Sequence, residues 1–331
     1  MSGRVVILGA KGRFGRSASQ AFHKAGWKVR VFARNWSDAA FGDAFDYCEG
    51  DALQPEEVIR AAAGCDVIVN ALHPRYENWK RELPQLSASV IAAAKQSGAA
   101  IMIAGNIYNY GEGMPPVLTE DTPHTPTTRK GKLREEMEET YARAADEGVK
   151  TIILRAGDFI EREKTGNWFD TYITPKTNRG KITYPGPLDR VHAWAYLPDM
   201  ARALADIADK AAELGSFSTF VYEGFNLTGT EFVALIQHLQ GRTLKVSKMP
   251  WPIMSLLGVF VPTIREVMEM RYLWQVSHAI DGTNLRQFIP EFRPTPVEIA
   301  LKEALGLGPD LQPALPRPVS ATLDVTKRVV V

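Results

Sequence analysis

The sequence of 331 residues has very little cysteine and no excess of charge of either sign. Its two cysteines, Cys48 and Cys65, have no second cysteine or histidine at metal-ligand spacing, which argues against a disulfide framework and a structural zinc site. Lysine and arginine total 39, against 38 aspartates and glutamates. This balance predicts no general attraction to nucleic acid or membranes, so we expect a small-molecule partner and no metal ion.

Long hydrophobic runs are also missing. The apolar residues 5–8 are too few for the core of a signal peptide, which favours a cytoplasmic location. The most apolar later stretch, residues 251–261, is well short of the roughly 20 residues that cross a bilayer. We interpret it as a buried or docking segment, with a role at a membrane surface as the alternative.

The first 155 residues do contain a regular alternation of short apolar runs and helical patterns. Such alternation is typical of a parallel sheet covered by helices on both faces. It predicts an α/β fold class, with a Rossmann-type doubly wound parallel sheet. The predicted strands are residues 5–8, 28–33, 45–48, 66–71, 100–104 and 151–154.

The alternation stops after about residue 159, where tryptophan and proline become frequent. We predict a Rossmann domain over residues 1–158 and a smaller C-terminal α+β lobe over residues 159–331, some segments of which could return to the first domain. Four prolines between residues 309 and 318 predict an extended tail, and the final residues 329–331 either pair as an edge strand or fray.

A glycine recurs at every third position directly after the first predicted strand. Gly9 allows a tight turn, Gly12 lets backbone N–H groups approach a pyrophosphate, and Gly15 lets the following helix pack on the strand. The anion is expected at the positive end of that helix, beside Phe14. Because the motif stands between a predicted strand and a predicted helix, it predicts dinucleotide binding.

The residues after the second and third strands bear on the choice of cofactor. Arg34 follows the second strand, where a cation accepts a 2′-phosphate, and Lys11 and Arg13 lie in the glycine loop. We therefore predict NADP(H), with NAD(H) as the alternative. Asp51 and the adjoining Ala52 follow the third strand, where a carboxylate could meet the adenine amino group; alternatively, Asp51 caps the next helix.

Several of these motifs occur together with others further along the chain. They are the Gly9-Gly12-Gly15 loop, Gly50-Asp51, Asn70-Ala71-Leu72, Tyr110-Gly111, Thr119-Glu120-Asp121, Leu154-Arg155-Ala156-Gly157 and Tyr196-Leu197-Pro198-Asp199-Met200-Ala201. The set resembles the extended short-chain dehydrogenase/reductase family, in its NAD-dependent epimerase/dehydratase branch, over residues 3–210. The resemblance implies cofactor contacts from Ala71 and Leu72, and homodimers are common in that family.

The resemblance also implies a catalytic serine, tyrosine and lysine, the last two spaced Tyr-x-x-x-Lys on one helix. Lys132 stands at the lysine position, but Thr128 stands at the tyrosine position and Asn106 at the serine position. Lys132 is expected either to hold the nicotinamide ribose or to face solvent. Asn106 is expected either to polarise a substrate carbonyl or to serve as a turn residue.

Another group must then deliver the proton, since a threonine hydroxyl is far less acidic than a phenol. We favour Tyr108 and His73, because both follow strands whose carboxyl ends build sites in open α/β sheets. Tyr110 is expected to be structural. Other candidates are Tyr76, His192 and Tyr196. Expected substrate contacts in the second lobe are Arg155, Trp168, Arg179, Lys181, Tyr184, Arg190, His192 and Trp194, with solvated charges and aromatic packing as the alternative.

The sequence therefore predicts an NADP(H)-dependent oxidoreductase of the epimerase/dehydratase type. It would act by hydride transfer on a small carbonyl or hydroxyl substrate, with a sugar nucleotide consistent with the resemblance. The alternative is an NADP-binding redox sensor or regulatory protein with reduced catalysis, which the missing tyrosine and serine suggest.

Overall fold

The computed structural model describes residues 3–36 and 41–307. The predicted proline-rich tail and the last three valines lie outside these residues. The strands are β1 (Arg4–Leu8), β2 (Lys28–Ala33), β3 (Asp46–Glu49), β4 (Val67–Asn70), β5 (Ala100–Gly105), β6 (Val117–Leu118), β7 (Thr151–Arg155), β8 (Asp158–Ile160), β9 (Lys181–Tyr184), β10 (Val191–Tyr196), β11 (Phe217–Val221), β12 (Phe225–Thr228), β13 (Lys245–Lys248) and β14 (Ala279–Ile280).

The α-helices alternate with the first strands and then dominate the last third of the described chain. They are α1 (Arg13–Lys24), α2 (Pro55–Ala62), α3 (Trp79–Ser97), α4 (Arg129–Asp146), α5 (Leu197–Asp209), α6 (Gly229–Gln240), α7 (Trp251–Gly258), α8 (Pro262–Glu269), α9 (Thr283–Phe288) and α10 (Val297–Ala304). In the described part of the chain, no helix has the length and apolar character needed to cross a membrane.

The central sheet has seven strands in the order β11-β7-β5-β4-β1-β2-β3, and all neighbours pair in parallel. The predicted Rossmann-type doubly wound sheet is therefore confirmed. Successive strands are added on one side of β1 up to β3 and on its other side from β4 onward. Open α/β sheets bind ligands at the point where the strand order reverses in this way, here between β1 and β4. Beyond residue 158, β11 joins the edge of this sheet and α5 packs against α1, so the layer is not built from residues 1–158 alone.

Helices cover both faces of the sheet because its central strands are mainly apolar. Phe14 and Phe22 of α1 and Leu204 of α5 pack in the core on one face. Val90 of α3 and Tyr141 of α4 pack in the core on the other. The strand residues between them are almost inaccessible to solvent, as the continuous hydrophobic runs predict.

The second layer consists of three small sheets and the helices α6–α8 and α10. The sheets are β12-β10-β8, β13-β9 and β14-β6. Their core is aromatic: Trp194 stacks on Phe232 with ring centroids 4.5 Å apart, and Trp274 lies 5.7 Å from Trp194. Tyr184 and Trp194 belong to this core, so their predicted role as substrate contacts is wrong and the packing alternative is correct.

The helices α7 and α8 form a hairpin at the end of this layer. Trp251 and Met254 point into the aromatic core, but Leu256, Val259 and Phe260 are exposed. The interpretation of residues 251–261 as a buried segment is therefore wrong for most of its apolar side chains.

Candidate active site

A cleft of about 500 Å³ lies between the carboxyl ends of the central strands and the second layer. Loops that follow β1, β4, β5 and β7 form one side, and α8 forms part of the other. Residues from these elements that line the cleft include Gly12, Leu72, Asn106, Gly157 and Val267. The cleft therefore occupies the ligand-binding edge expected of an open α/β sheet.

The glycine loop forms a close-packed turn into α1. Gly9 has a φ of +78°, and a Cβ on Gly15 would lie 2.3 Å from the carbonyl oxygen of Gly9. Helix α1 begins after Gly12 with no side-chain cap and no acidic residue in its first turn. Its first backbone N–H groups thus remain available to an anion at the positive end of the helix. This cradle fits the pyrophosphate of a dinucleotide.

Two of the three predicted phosphate-binding cations lie together beyond β2. The Nζ atom of Lys11 is 3.2 Å from Oδ1 of Asn35, and the neighbouring Arg34 is exposed. Arg13 instead reaches across the cleft, where its Nε is 3.1 Å from Oε1 of Glu161 and donates to Thr165 at 2.6 Å. The placement of Arg13 with Lys11 and Arg34 was therefore wrong, because a buried carboxylate in the second layer attracts it.

The remaining predicted cofactor contacts lie around the same edge. Ala71 and Leu72 line the cleft directly after β4, as does Phe14 at the start of α1. Asp51 accepts a hydrogen bond from the backbone N–H of Leu53 at 3.1 Å, but the N-cap of α2 is Gln54 and no side chain caps it, so the alternative role of Asp51 as a helix cap is wrong. The neighbouring Ala52 is buried.

The tyrosine and lysine positions taken from the family do not meet in the cleft. Thr128 precedes α4 as its N-cap, and its hydroxyl accepts a hydrogen bond from the backbone N–H of Gly131 at 3.1 Å. Lys132 is exposed and is not among the residues that line the cleft. The prediction that Lys132 holds the ribose is therefore not supported by its position, and its solvent-facing alternative describes it correctly.

Arg134 occupies the cleft-facing side of α4 instead. Its Nη2 donates to the backbone oxygen of Ala104 at 2.9 Å, and its guanidinium lies 5.7 Å from the ring of Trp79. Its Nε is buried and has no hydrogen-bond partner among the described residues. Lys130, one turn earlier, is also buried and binds Glu266 and Glu269 of α8. Sequence reasoning missed this charged face, although the i, i+4 spacing of Lys130 and Arg134 is a signal that could have revealed it.

Asn106 lines the cleft immediately after β5. Its Oδ1 accepts a hydrogen bond from the backbone N–H of Tyr108 at 3.0 Å, which is the predicted turn role. Its side-chain nitrogen has no protein partner within residues 3–36 and 41–307. The amide can therefore stabilise the turn with its oxygen and still donate to a ligand in the cleft.

Two tyrosines line the cleft next to Asn106. Burial raises the pKa of Tyr108 well above its usual value, and the neighbouring phenol of Tyr76 and the carboxylate of Asp158 add to the rise. Burial raises the pKa of Tyr76 as well. Both phenols therefore keep their protons at neutral pH. Tyr110 is fully buried and donates to the backbone oxygen of Thr119, in agreement with its expected structural role.

His73 lies on the cleft wall after β4, but it does not titrate near neutral pH. Its side chain is exposed to the cleft. Desolvation by the surrounding wall, the largest cause, and the guanidinium of Arg134, the second, lower the pKa of the imidazole to about 4. The expectation of an imidazole that titrates near neutrality was therefore wrong. At pH 7 His73 is neutral, so it is not a source of a proton from an imidazolium.

His192 reaches the cleft only through Asp158. Its Nε2 lies 2.8 Å from Oδ2 of Asp158, and its ring stacks on Trp274 at 4.0 Å. Asp158 lines the cleft next to Gly157, and it was not among the proton donors predicted from the sequence, which were basic and phenolic groups. Tyr196 donates instead to Glu303, away from the cleft lining.

The cations expected to contact substrate lie elsewhere. Arg155 is buried and makes a bidentate ion pair with Glu138, with contacts of 2.6 and 3.1 Å. Arg179, Lys181 and Arg190 are exposed and do not line the cleft. Of the predicted contacts in the second lobe, Trp168 does line it.

Comparison with known proteins agrees with this geometry. The sequence model of the NAD(P)H-binding family matches residues 9–183, which is more than half of the chain. The chain belongs to the NAD(P)H-binding family. The matched residues include the phosphate loop, β2 with Arg34, and the cleft-facing side of α4. The predicted nicotinamide cofactor is thus confirmed as a class. No curated protein matches the chain in sequence.

Solved structures of other proteins share the fold of this NAD(P)H-binding protein. A putative epimerase from Burkholderia cenocepacia aligns over 92% of this chain and 97% of its own, with a TM-score of 0.73 and 21% identity. The UDP-Glc/GlcNAc 4-epimerase from Campylobacter jejuni aligns over 92% and 98%, with a TM-score of 0.70 and 18% identity. MoeE5, solved in complex with UDP-glucose and NAD, aligns over the same shares, with a TM-score of 0.71 and 16% identity. These matches confirm the resemblance to the epimerase branch at the level of the fold.

Proposed function

We propose that this protein is an NADP(H)-dependent oxidoreductase that reduces the carbonyl group of a neutral, largely apolar substrate. The observation that carries the proposal is that a dinucleotide cradle and the protonated phenol of Tyr108 open into the same cleft. When bound, the nicotinamide would supply a hydride equivalent to the carbonyl carbon. The protein's own residues would bind the cofactor, orient the substrate and provide the proton.

The cofactor would be held by three parts of the cleft edge, and a fourth group would hold the substrate. The N–H groups at the start of α1 would bind the pyrophosphate, and Lys11 and Arg34 would bind a 2′-phosphate. Arg134, whose side chain lines the cleft, would lie next to the nicotinamide ribose, the place that the family gives to a lysine. The side-chain nitrogen of Asn106 would donate to the substrate carbonyl.

Tyr108 is the proposed proton donor. Its raised pKa keeps the proton on Oη at neutral pH, and the alkoxide that forms when a carbonyl is reduced is a much stronger base than a phenolate. Proton transfer from Oη to that oxygen is therefore downhill. The reverse reaction would need Tyr108 to start as a phenolate, which burial disfavours. This asymmetry favours reduction over an epimerase cycle, in which the proton must move in both directions.

The charges in the cleft argue against a sugar nucleotide. A diphosphate needs cations or a row of N–H donors, but Arg13 is paired with Glu161, and Glu266 is paired with Lys130 and Arg129. The second-layer wall combines aromatic and aliphatic side chains, such as Trp168 and Met270, with polar ones, and the described residues that line it include no lysine or arginine. A neutral, apolar carbonyl compound fits this lining better than a dianion.

A second candidate is an NADP(H)-binding redox sensor. One observation favours it: Thr128 caps a helix at the position where the family has its catalytic tyrosine. The two candidates differ in turnover, because a sensor binds NADPH without consuming it in the presence of any carbonyl substrate.

The test combines cofactor titration with turnover of the purified protein. We expect NADPH to bind at least about tenfold more tightly than NADH, since charge-assisted bonds to a phosphate contribute about 1.5–3 kcal/mol each. Arg34→Glu should remove this preference without weakening NADH binding. Lys24→Glu, which changes an exposed cation at the far end of α1, is the matched control. Equal affinities of the unaltered protein for both cofactors would contradict the NADP(H) assignment.

Turnover is measured as NADPH consumption with apolar aldehydes, ketones and quinones, and with UDP-sugars for comparison. Tyr108→Phe should lower kcat by roughly 10²–10⁴ and leave NADPH affinity unchanged, because it removes only the proton donor. Tyr172→Phe, which alters another tyrosine of the cleft lining, should retain turnover. Consumption with UDP-sugars alone would refute the proposed substrate class, and tight NADPH binding without turnover would favour the sensor.

A further inference from the structure

The hairpin formed by α7 and α8 carries an exposed apolar tip. Six of the nine large hydrophobic side chains that are exposed in the described residues fall within residues 253–261. Leu256 is 67% exposed, Val259 71% and Phe260 78%. Single exposed apolar side chains are ordinary, but a contiguous group of this kind marks a surface that binds a partner.

The tip does not result from a loosely attached segment. Trp251 anchors α7 by donating from its indole nitrogen to the backbone oxygen of Pro185 at 2.7 Å, and Met254 packs in the core. At α8, Glu266 binds both Arg129 and the buried Lys130 of α4. The hairpin is therefore fixed on its inner side, and its apolar residues face outward on a stable base.

Within the segment of chain that carries the tip, the exposed charged side chains have one sign. Between residues 245 and 271 the exposed charged side chains are Lys245, Lys248, Arg265 and Arg271. Arg271 lies over the ring of Trp251 at 5.5 Å, and a Cβ on Gly258 would lie 3.3 Å from the backbone nitrogen of Arg265. The acidic residues of the same segment, Glu266 and Glu269, point inward to Lys130.

We infer that this apolar tip docks on an anionic lipid surface. Apolar side chains enter the boundary between headgroups and acyl chains, and adjoining cations bind the anionic headgroups. A second copy of the chain fits less well, because a two-fold contact would bring two positively charged faces together. Each helix of the hairpin has 8 residues and spans only about 12 Å, so it lies on the bilayer and does not cross it.

The same hairpin forms part of the cleft wall. Thr263, Val267 and Met270 line the cleft on the inner side of the segment whose outer side carries the tip. Docking would therefore hold the cleft next to the lipid, where an apolar carbonyl compound concentrates. This consequence for substrate supply rests on the proposed function, whereas the docking itself does not.

The test is cosedimentation of the full chain with lipid vesicles. One set contains phosphatidylcholine alone, and the other contains equal amounts of phosphatidylcholine and phosphatidylglycerol. We expect stronger binding to the anionic vesicles, reduced by salt. The double variant Leu256→Ser, Phe260→Ser should bind at least about tenfold more weakly, because it removes two large apolar side chains from the interface.

Ile299→Ser provides the matched control, since Ile299 is exposed on α10 at 49% and lies outside the hairpin. It should bind vesicles like the unaltered protein. NADPH affinity, measured in parallel, should be the same for all three proteins because the tip lies away from the phosphate loop, so a loss of vesicle binding is not a loss of folding.

Three results would overturn the inference: no binding of the unaltered protein to anionic vesicles, undiminished binding by the double variant, or a dimer in solution that this variant dissociates. Absence of carbonyl turnover would refute the proposed function and leave the vesicle result standing.

Discussion

The ion pair between Glu138 and Arg155 gives the sharpest prediction about stability. Both side chains are almost completely buried, and the carboxylate accepts two hydrogen bonds from the guanidinium, at 2.6 and 3.1 Å. Glu138→Gln keeps the shape of the side chain but leaves Arg155 without its counterion. Breaking a buried pair in this way costs about 3–5 kcal/mol. We expect the lower part of that range, because Arg155 still donates to the backbone oxygen of Asn106 and lies 5.3 Å from the ring of Tyr110.

The next residue provides a matched control. Glu139 forms an exposed i, i+4 pair with Arg143 at 3.7 Å on the same helix. Glu139→Gln should therefore change the free energy of unfolding by only ~0.3–0.5 kcal/mol. The measurement is denaturant unfolding followed by tryptophan fluorescence, with the midpoint and the slope compared between variants. Equal effects of the two substitutions would refute the assignment of a strong buried pair.

The pH dependence of the same variant gives an independent check. Burial opposes ionisation of Glu138, but the charge and hydrogen bonds of Arg155 outweigh it and hold the pKa of the carboxyl below its usual value. A lowered folded-state pKa stabilises the protein above the unfolded-state pKa of about 4.3, and this contribution is lost as the pH falls through the folded-state value. The stability difference between the unaltered protein and Glu138→Gln should therefore shrink as the solution becomes more acidic than about pH 4.

Three further predictions concern the cleft. Gly15→Ala should abolish NADPH binding, because the added Cβ would lie 2.3 Å from the oxygen of Gly9; near-normal affinity in a fluorescence titration would contradict the cradle. His73→Asn should leave the pH dependence of kcat above pH 6 unchanged, since the pKa of His73 is lowered to about 4. The histidine of the unfolded chain binds a proton near pH 6.5, before the folded one does, so acidification below pH 6.5 destabilises the unaltered protein. The variant lacks this group and should therefore lose less stability over the same pH range. Arg134→Met should weaken NADPH about tenfold but not 2′-phospho-AMP, which has no nicotinamide ribose, and an equal loss for both ligands would disprove the assigned contact.

The fold and the dinucleotide cradle could be predicted because their signals are local. The glycines of the phosphate loop are required by backbone packing within seven residues, and the six predicted strands are short, mostly apolar runs that need no distant partner to be recognised. The seventh strand, Phe217–Val221, could not be found in this way. It joins the sheet only by pairing with Thr151–Arg155, far away in sequence.

Lys132, which the resemblance placed at the cofactor, lies two residues away from the buried Lys130 and Arg134, and this offset puts it on another face of α4. Each residue rotates a helix by about 100°, so a shift of two residues turns a side chain roughly 200° about the axis. Lys132 therefore faces solvent, while Lys130 and Arg134 face the interior and the cleft. The start of α4 at Arg129, after the cap by Thr128, was the missing information.

Sequence by itself determined the parallel sheet, the phosphate loop and the class of cofactor, because these depend on short-range periodicity and on backbone geometry. Tertiary structure decided which charges remain available for chemistry. Arg13 forms an ion pair with Glu161, Arg155 with Glu138 and Lys130 with Glu266, and each pair joins residues from different parts of the fold. Whether a cation binds a phosphate or a buried carboxylate depends on which group lies within a few ångströms, and only the folded chain brings those groups together.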